Sequence, residues 1–198
     1  LSYRVLYFEQ NEQGFRPPAD YPETALATVT THDLPTLAGY WQGHDLAQRT
    51  EFGLFGSDEA RVQALVGRAQ DRSRLLLALE REQLLPAGMS ADPQSTPEMS
   101  EELIRSVHVY LARAPAKVML VQPEDVLGQL EPVNLPGSPE HVHPNWRRKL
   151  ILPLEQWPGH DGFLRLAAAL REQRPAGPGR QRRRGHGAVV PRATYRLQ

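Results

Sequence analysis

Three short runs rich in β-branched and aromatic residues, at 4–8, 25–30 and 117–121, restrict what this chain can fold into. Each reads as a β-strand, and none alternates cleanly between polar and apolar positions. That pattern predicts parallel strands covered on both faces. Parallel neighbours need a long crossover between them, and the stretch between the second and third runs supplies one.

Within that stretch Asp58 and Glu59 suit the first turn of a helix, followed by Val62, Val66 and Ala69 at helical spacing and a leucine-rich run to Leu79. A second helix is signalled by Ser95 with Glu98, or by Thr96 before Pro97, either pair forming a good N-terminal cap. Its apolar stripe is Leu103, Val107, Tyr110 and Leu111, and Pro115 bars its continuation. Strand, helices, strand is the order of a right-handed crossover. Phe163, Leu164, Leu166, Ala167 and Leu170 form one last amphipathic helix, and the Pro- and Gly-containing stretches 86–97 and 131–144 read as loops.

The 198 residues, 40% hydrophobic and 23% charged, suffice for an ordinary core, so residues 1–170 are expected to form a folded body. From 171 to 190 the chain turns to Arg, Pro and Gly with little to bury, the composition of a disordered linker. Residues 171–198 hold eight Arg and one Glu, which leaves the body net acidic although the whole chain is neutral. No overall basic face invites nucleic acid, and the arginines at 180–184 read as solubilising charge more readily than as a phosphate contact. No apolar run approaches the length of a membrane span, so no membrane partner is expected. The absence of cysteine removes disulfides and thiolate metal sites and makes a cytoplasmic setting natural. The chain opens Leu-Ser-Tyr directly into an apolar run, which reads as a piece of something longer.

The strongest local signal for chemistry is Thr-Thr-His-Asp-Leu-Pro-Thr-Leu at 30–37, a His-Asp pair where a buried parallel strand ends. His32 and Asp33 there either face a site or serve structure, with Asp33 capping the next helix. Phe8 and Glu9 end the first strand at the same rim, where Phe8 either stacks on a ligand or packs. Asn145 and Trp146 follow the third strand and its loop, suited to bonding and stacking on a polar ligand or to anchoring the loop. Glu140, His141 and His143 lack an evident third metal ligand to complete a site, and His44-Asp45 reads as a solvated loop.

Several runs together resemble the bacterial branch of the amylomaltases, the 4-alpha-glucanotransferases. They are Ser-Tyr-Arg-Val-Leu-Tyr-Phe-Glu (2–9), Tyr-Pro-Glu (21–23), Ala-Leu-Ala-Thr-Val-Thr-Thr-His-Asp-Leu-Pro-Thr-Leu-Ala-Gly-Tyr-Trp (25–41), Val-Asn-Leu-Pro-Gly (133–137) and His-Pro-Asn-Trp-Arg-Arg-Lys-Leu (143–150). The resemblance implies an α/β fold, the C-terminal portion of a (β/α)8 TIM barrel with about three of its strands. Such barrels run to about 250 residues, so roughly five strand–helix units would precede this piece. It implies transfer of alpha-1,4-glucan segments from a maltooligosaccharide donor to glucose or a glucan, with retention of configuration and no cofactor or metal.

In that mechanism a nucleophilic carboxylate and an acid/base carboxylate sit about 5–5.5 Å apart. Both lie upstream in the family and have no counterpart here, so the missing N-terminal part of the same enzyme is an expected partner. The third family carboxylate matches Asp33, implied to grip sugar hydroxyls as the ring gains positive charge, with His32 donating to the same sugar. Contacts of that kind are worth about 3–4 kcal/mol in the transition state. The final Pro-Arg-Ala-Thr-Tyr-Arg-Leu-Gln (191–198) resembles the opening strand of a malto-oligosyltrehalose synthase, which implies the start of a second, fused domain. An alternative is a non-catalytic glucan-binding module stacking sugars on Phe8, Trp41 and Trp146.

Overall fold

A computed structural model describes residues 1–175 apart from 140 and 142. The strands are β1 (Ser2–Val5), β2 (Gln10–Asn11), β3 (Gly14–Phe15), β4 (Ala25–Thr28) and β5 (Val118–Leu120), with helices α1 (Leu37–Gln42), α2 (His44–Glu51), α3 (Asp58–Arg81), α4 (Glu101–Ala112), α5 (Pro123–Val126) and α6 (Asp161–Gln173). The three runs singled out by composition pair as a parallel sheet in the order β1-β4-β5. Ser2 stands opposite Ala25, and Leu26 opposite Val118. β2 and β3 form a small antiparallel hairpin between the first two sheet strands.

Each strand is shorter than expected. The chain leaves β1 through a 3-10 turn over Leu6–Phe8, closed by Glu9 N donating to Leu6 O at 3.0 Å. It leaves β4 where the Thr28 hydroxyl donates to Thr30 O at 2.9 Å. Expected burial on both faces holds for the central strand, where Ala25, Ala27 and Thr28 are buried, but not for its neighbours. Tyr3 on β1 and Val118 and Leu120 on β5 are exposed, because these two strands are the edges of the sheet.

The core forms where Leu6, Tyr7, Phe15 and Val29 meet Leu37 and Trp41 of α1, the C-terminal half of α3, and α4. In α3 only Leu75, Leu76, Ala78 and Leu79 are buried, while Val62 and Val66, expected on the buried stripe, are exposed. The stripe of α4 is buried as its spacing predicts: Leu103, Val107, Tyr110 and Leu111. Its cap is Ser100, whose hydroxyl accepts from Leu103 N at 3.2 Å, not Ser95 or Thr96. Residues Pro93–Ser95 are a separate 3-10 turn capped by Asp92. The Thr96 carbonyl accepts from Trp41 Nε1 at 3.0 Å and from Arg72 at 2.9 Å, which pins that residue against the core instead of releasing it into a helix.

α6 packs on α4 and runs through Gln173, so it takes in the first residues of the stretch expected as linker. Arg174 then donates to Ala112 O, in the last residue of α4, at 3.4 Å, and to Ala114 O at 2.9 Å and Ala116 O in the segment that leads to β5. The rest of the expected linker, its arginines at 180–184 and the segment 191–198 lie outside the described residues.

Candidate functional site

Because the sheet is parallel, its three strands release their chains at one end, into residues 6–9, 29–35 and 121–122. The second of these carries the His-Asp pair on a turn. Leu34 N donates to Thr31 O at 3.1 Å, and Asp33 N approaches the Thr31 hydroxyl at 3.3 Å. Asp33 is turned outward, its side chain 52% exposed, with His32 Nε2 at 3.3 Å from Oδ2. The amide of Asn134 donates to Oδ1 at 2.6 Å.

Asp33 does not cap the following helix. That duty falls to Thr36, whose hydroxyl accepts from Gly39 N at 3.0 Å, and to Asp125, whose Oδ1 accepts from Leu37 N at 2.7 Å. Asp125 is fully buried, and its Oδ2 accepts from the Thr30 hydroxyl at 2.6 Å. Burial pushes its carboxyl up to about 7, against the opposing pull of those two donors. Thr36 also donates to Gln129 O at 2.5 Å, a further tie between the chain after β4 and the chain after β5. From the first strand's side the Tyr7 hydroxyl donates to Pro35 O at 3.3 Å, with its ring stacked on Tyr40 at 4.0 Å.

The loop that brings Asn134 and Trp146 to the rim is organised by Asn145. Its Oδ1 accepts from Leu135 N at 2.9 Å and faces His143 Nδ1 at 2.8 Å, while its Nδ2 donates to the Ser138 hydroxyl at 3.1 Å. Of the two roles open to Asn145, this geometry is the anchor. Trp146 N donates to Val133 O at 3.0 Å, closing the loop, and the residue takes a left-handed backbone with φ 63°. The residue is 62% exposed, and its ring lies 5.1 Å from the His32 ring.

Asp33, His32 and Trp146 are therefore brought together, with Asn134 joined to them. Phe8 is 69% exposed beyond β1, and no hydrogen bond or ring contact among the described residues links its side chain to that cluster. Glu9, expected beside it at the rim, is buried between Arg4 at 3.2 Å and Arg16 at 3.3 Å. Trp41 is buried in the core and offers no stacking surface. His44 and Asp45 open α2 rather than a solvated loop. Asp45 is buried because Arg68 meets it with two nitrogens at 2.7 and 2.8 Å. His141 is exposed, His143 is buried against Asn145, and Glu140 lies outside the described residues. Among the described residues no three His, Cys, Asp or Glu side chains are grouped to hold a metal.

In the sequence Asn134 stands out only as a member of the loop 131–144, and nothing local marks Asp125. The signal for Asn134 is a polar side chain two positions before Pro136-Gly137 in that loop. Asp125 sits in the first turn of a short helix directly after a strand.

A family model described as 4-alpha-glucanotransferase matches residues 1–153. A 4-alpha-glucanotransferase of Haemophilus influenzae is 37% identical over 154 residues, covering 78% of this chain and 22% of the relative. One from Mycobacterium bovis is 35% identical over 159 residues, covering 77% and 20%. The crystal structure of amylomaltase from Corynebacterium glutamicum superposes with a TM-score of 0.73 at 28% identity, covering 85% of this chain and 25% of that one. The chain thus spans about a fifth of the length of the curated relatives it matches. Through the family match and these shared stretches, the chain belongs to the 4-alpha-glucanotransferase family.

Proposed function

We propose that this chain is the C-terminal portion of a (β/α)8 barrel, residues 1–170 and the end of α6, within a retaining transglycosylase that moves alpha-1,4-glucan segments between maltooligosaccharides. In this reading Asp33 binds hydroxyls of the reacting glucosyl ring, and His32 donates to the same sugar. Trp146 offers its exposed ring to a neighbouring glucose, and Phe8 does the same at the acceptor side. The nucleophile and the acid/base belong to the polypeptide upstream, so the isolated chain is inactive, and no metal or cofactor takes part.

What supports this is the carboxylate of Asp33. It lies beyond the C-terminal end of the central parallel strand, outward-facing, and is oriented by Asn134 and His32. Residues at that end of barrel strands are the ones that meet substrate. A ring hydroxyl becomes a stronger donor as the anomeric centre turns cationic, so a fixed carboxylate binds the transition state more tightly than the ground state. Asp33→Asn in a full-length enzyme carrying this segment is expected to leave the fold intact and lower maltotriose disproportionation by about 10²–10³-fold. A near-normal rate in that variant contradicts the assignment.

A further inference from the structure

The segment that carries the proposed sugar-binding pair is held at both ends by a single side chain. Asp125 accepts from the Thr30 hydroxyl at 2.6 Å and from Leu37 N at 2.7 Å, and residues 31–36, with His32 and Asp33 at the exposed crest, span the interval. Asp125 arrives from elsewhere in the chain, 95 and 88 positions away from these two partners. We propose that Asp125 is a positioning residue for Asp33: its two oxygens fix both ends of the His-Asp turn and thereby set the direction in which the Asp33 carboxylate faces the sugar.

This rests on the role given to Asp33 above. A fully buried carboxyl is costly to keep, and an apolar residue of similar size would fill the space without that cost. What an apolar residue cannot do is accept two bonds in divergent directions, one from the end of the strand and one from the first turn of α1. Both of its donors belong to the turn's own stem, so the geometry of the turn follows the carboxyl. Thr36 supports the same frame, with its hydroxyl on Gln129 O, but it grips one end only. Asn134 holds the tip of Asp33 and leaves the stem free. Among the described residues Asp125 is the side chain that spans both ends.

The role differs from plain structural support in its dependence on Asp33, and a double-mutant cycle reads that dependence. In a full-length enzyme carrying this segment, Asp125→Ala is expected to lower kcat for maltotriose disproportionation about 30-fold with KM little changed. In an Asp33→Asn background the same change is expected to cost less than about threefold, because the group being positioned is already disabled. Asp125→Asn keeps an oxygen for Leu37 N and should recover most of the lost rate, whereas Asp125→Leu, which fills the space but accepts neither bond, carries the cycle if the alanine variant does not fold. Equal fold-losses in both backgrounds, or a lowered melting temperature with kcat unchanged, would overturn the positioning role while leaving Asp33 in place. A normal rate in Asp33→Asn itself would instead remove the role of Asp33, and this inference with it.

Discussion

The Asn134 side-chain amide donates to Asp33 Oδ1 at 2.6 Å, across 101 positions of sequence. The bond joins the turn after β4 to the loop after β5, so the orientation of one strand's carboxylate depends on its neighbour's loop. Asp33 is half exposed, and water competes for the same oxygen, so the bond is worth less than a buried charge-assisted one.

Asn134→Ala is therefore expected to lower kcat about tenfold in a full-length enzyme, with little change in thermal stability. Asn134→Asp should be worse, since it sets a second carboxylate against the first. Steady-state kinetics on maltotriose for the two variants decide it, and alanine matching the parent rate would show that Asp33 orients itself.

How much of this could be read from residue order is clearest at these same positions. The parallel strands were legible because β-branched runs without polar alternation have few other uses, and the stripe of α4 because Leu103, Val107, Tyr110 and Leu111 follow helical spacing. His32 and Asp33 were legible from a strand followed at once by a polar pair. Asn134 and Asp125 were not, because their meaning lies in partners about a hundred positions away. Nor was the fate of Trp41 and Asp45, since nothing local says that Thr96 or Arg68 will meet them. The displaced cap of α4 shares that cause, since Trp41 and Arg72 claim the Thr96 carbonyl, whereas the strands end at local bonds, Glu9 N to Leu6 O and the Thr28 hydroxyl to Thr30 O.

Trp146 occupies a left-handed backbone conformation that costs a non-glycine residue roughly 1–2 kcal/mol. Its N–H bond to Val133 O and the Asn145 anchor hold it there. Both Trp146→Ala and Trp146→Gly should weaken maltoheptaose binding by removing the exposed ring. The glycine variant should nonetheless be the more stable of the two by about 1 kcal/mol, as it adopts φ 63° without strain. Thermal unfolding of the pair, together with calorimetric binding, tests both halves, and an alanine variant at least as stable as the glycine one would remove the strain argument.

Gly39 in α1 faces the chain after β5 so closely that an added methyl would fall inside the contact distance of the Leu130 carbonyl oxygen and crowd the Thr36 hydroxyl. Neither neighbour is the free end of a mobile side chain, so the backbone itself must give way. An ordinary helical Gly→Ala change is stabilising, but here Gly39→Ala is expected to destabilise by about 1–3 kcal/mol. It should also lower activity, because Thr36 and the 129–130 backbone frame the His-Asp turn. A raised melting temperature would refute it.

Two buried titratable groups push stability in opposite directions with pH. Burial raises Asp125 from an ordinary 3.8 to about 7, so between those values the folded chain keeps a proton that the unfolded chain has released. Stability from this group is complete below about pH 4 and is lost as pH rises through about 7. Burial lowers His108 from 6.5 to about 4; its Nδ1 is 2.8 Å from Ile104 O, and its buried Nε2 has no partner. On acidification the unfolded chain takes up that proton first, so this contribution is complete above about pH 6.5 and is lost as pH falls toward 4. Between about pH 4 and 6.5 the two slopes largely cancel, and the contribution of this pair to the melting temperature should be nearly level there. Asp125→Asn should leave stability that rises with pH across that window, and His108→Leu should leave stability that falls. Melting temperatures of the two variants and the parent at four pH values distinguish these outcomes, and parallel curves for all three would mean that neither group titrates differently on folding.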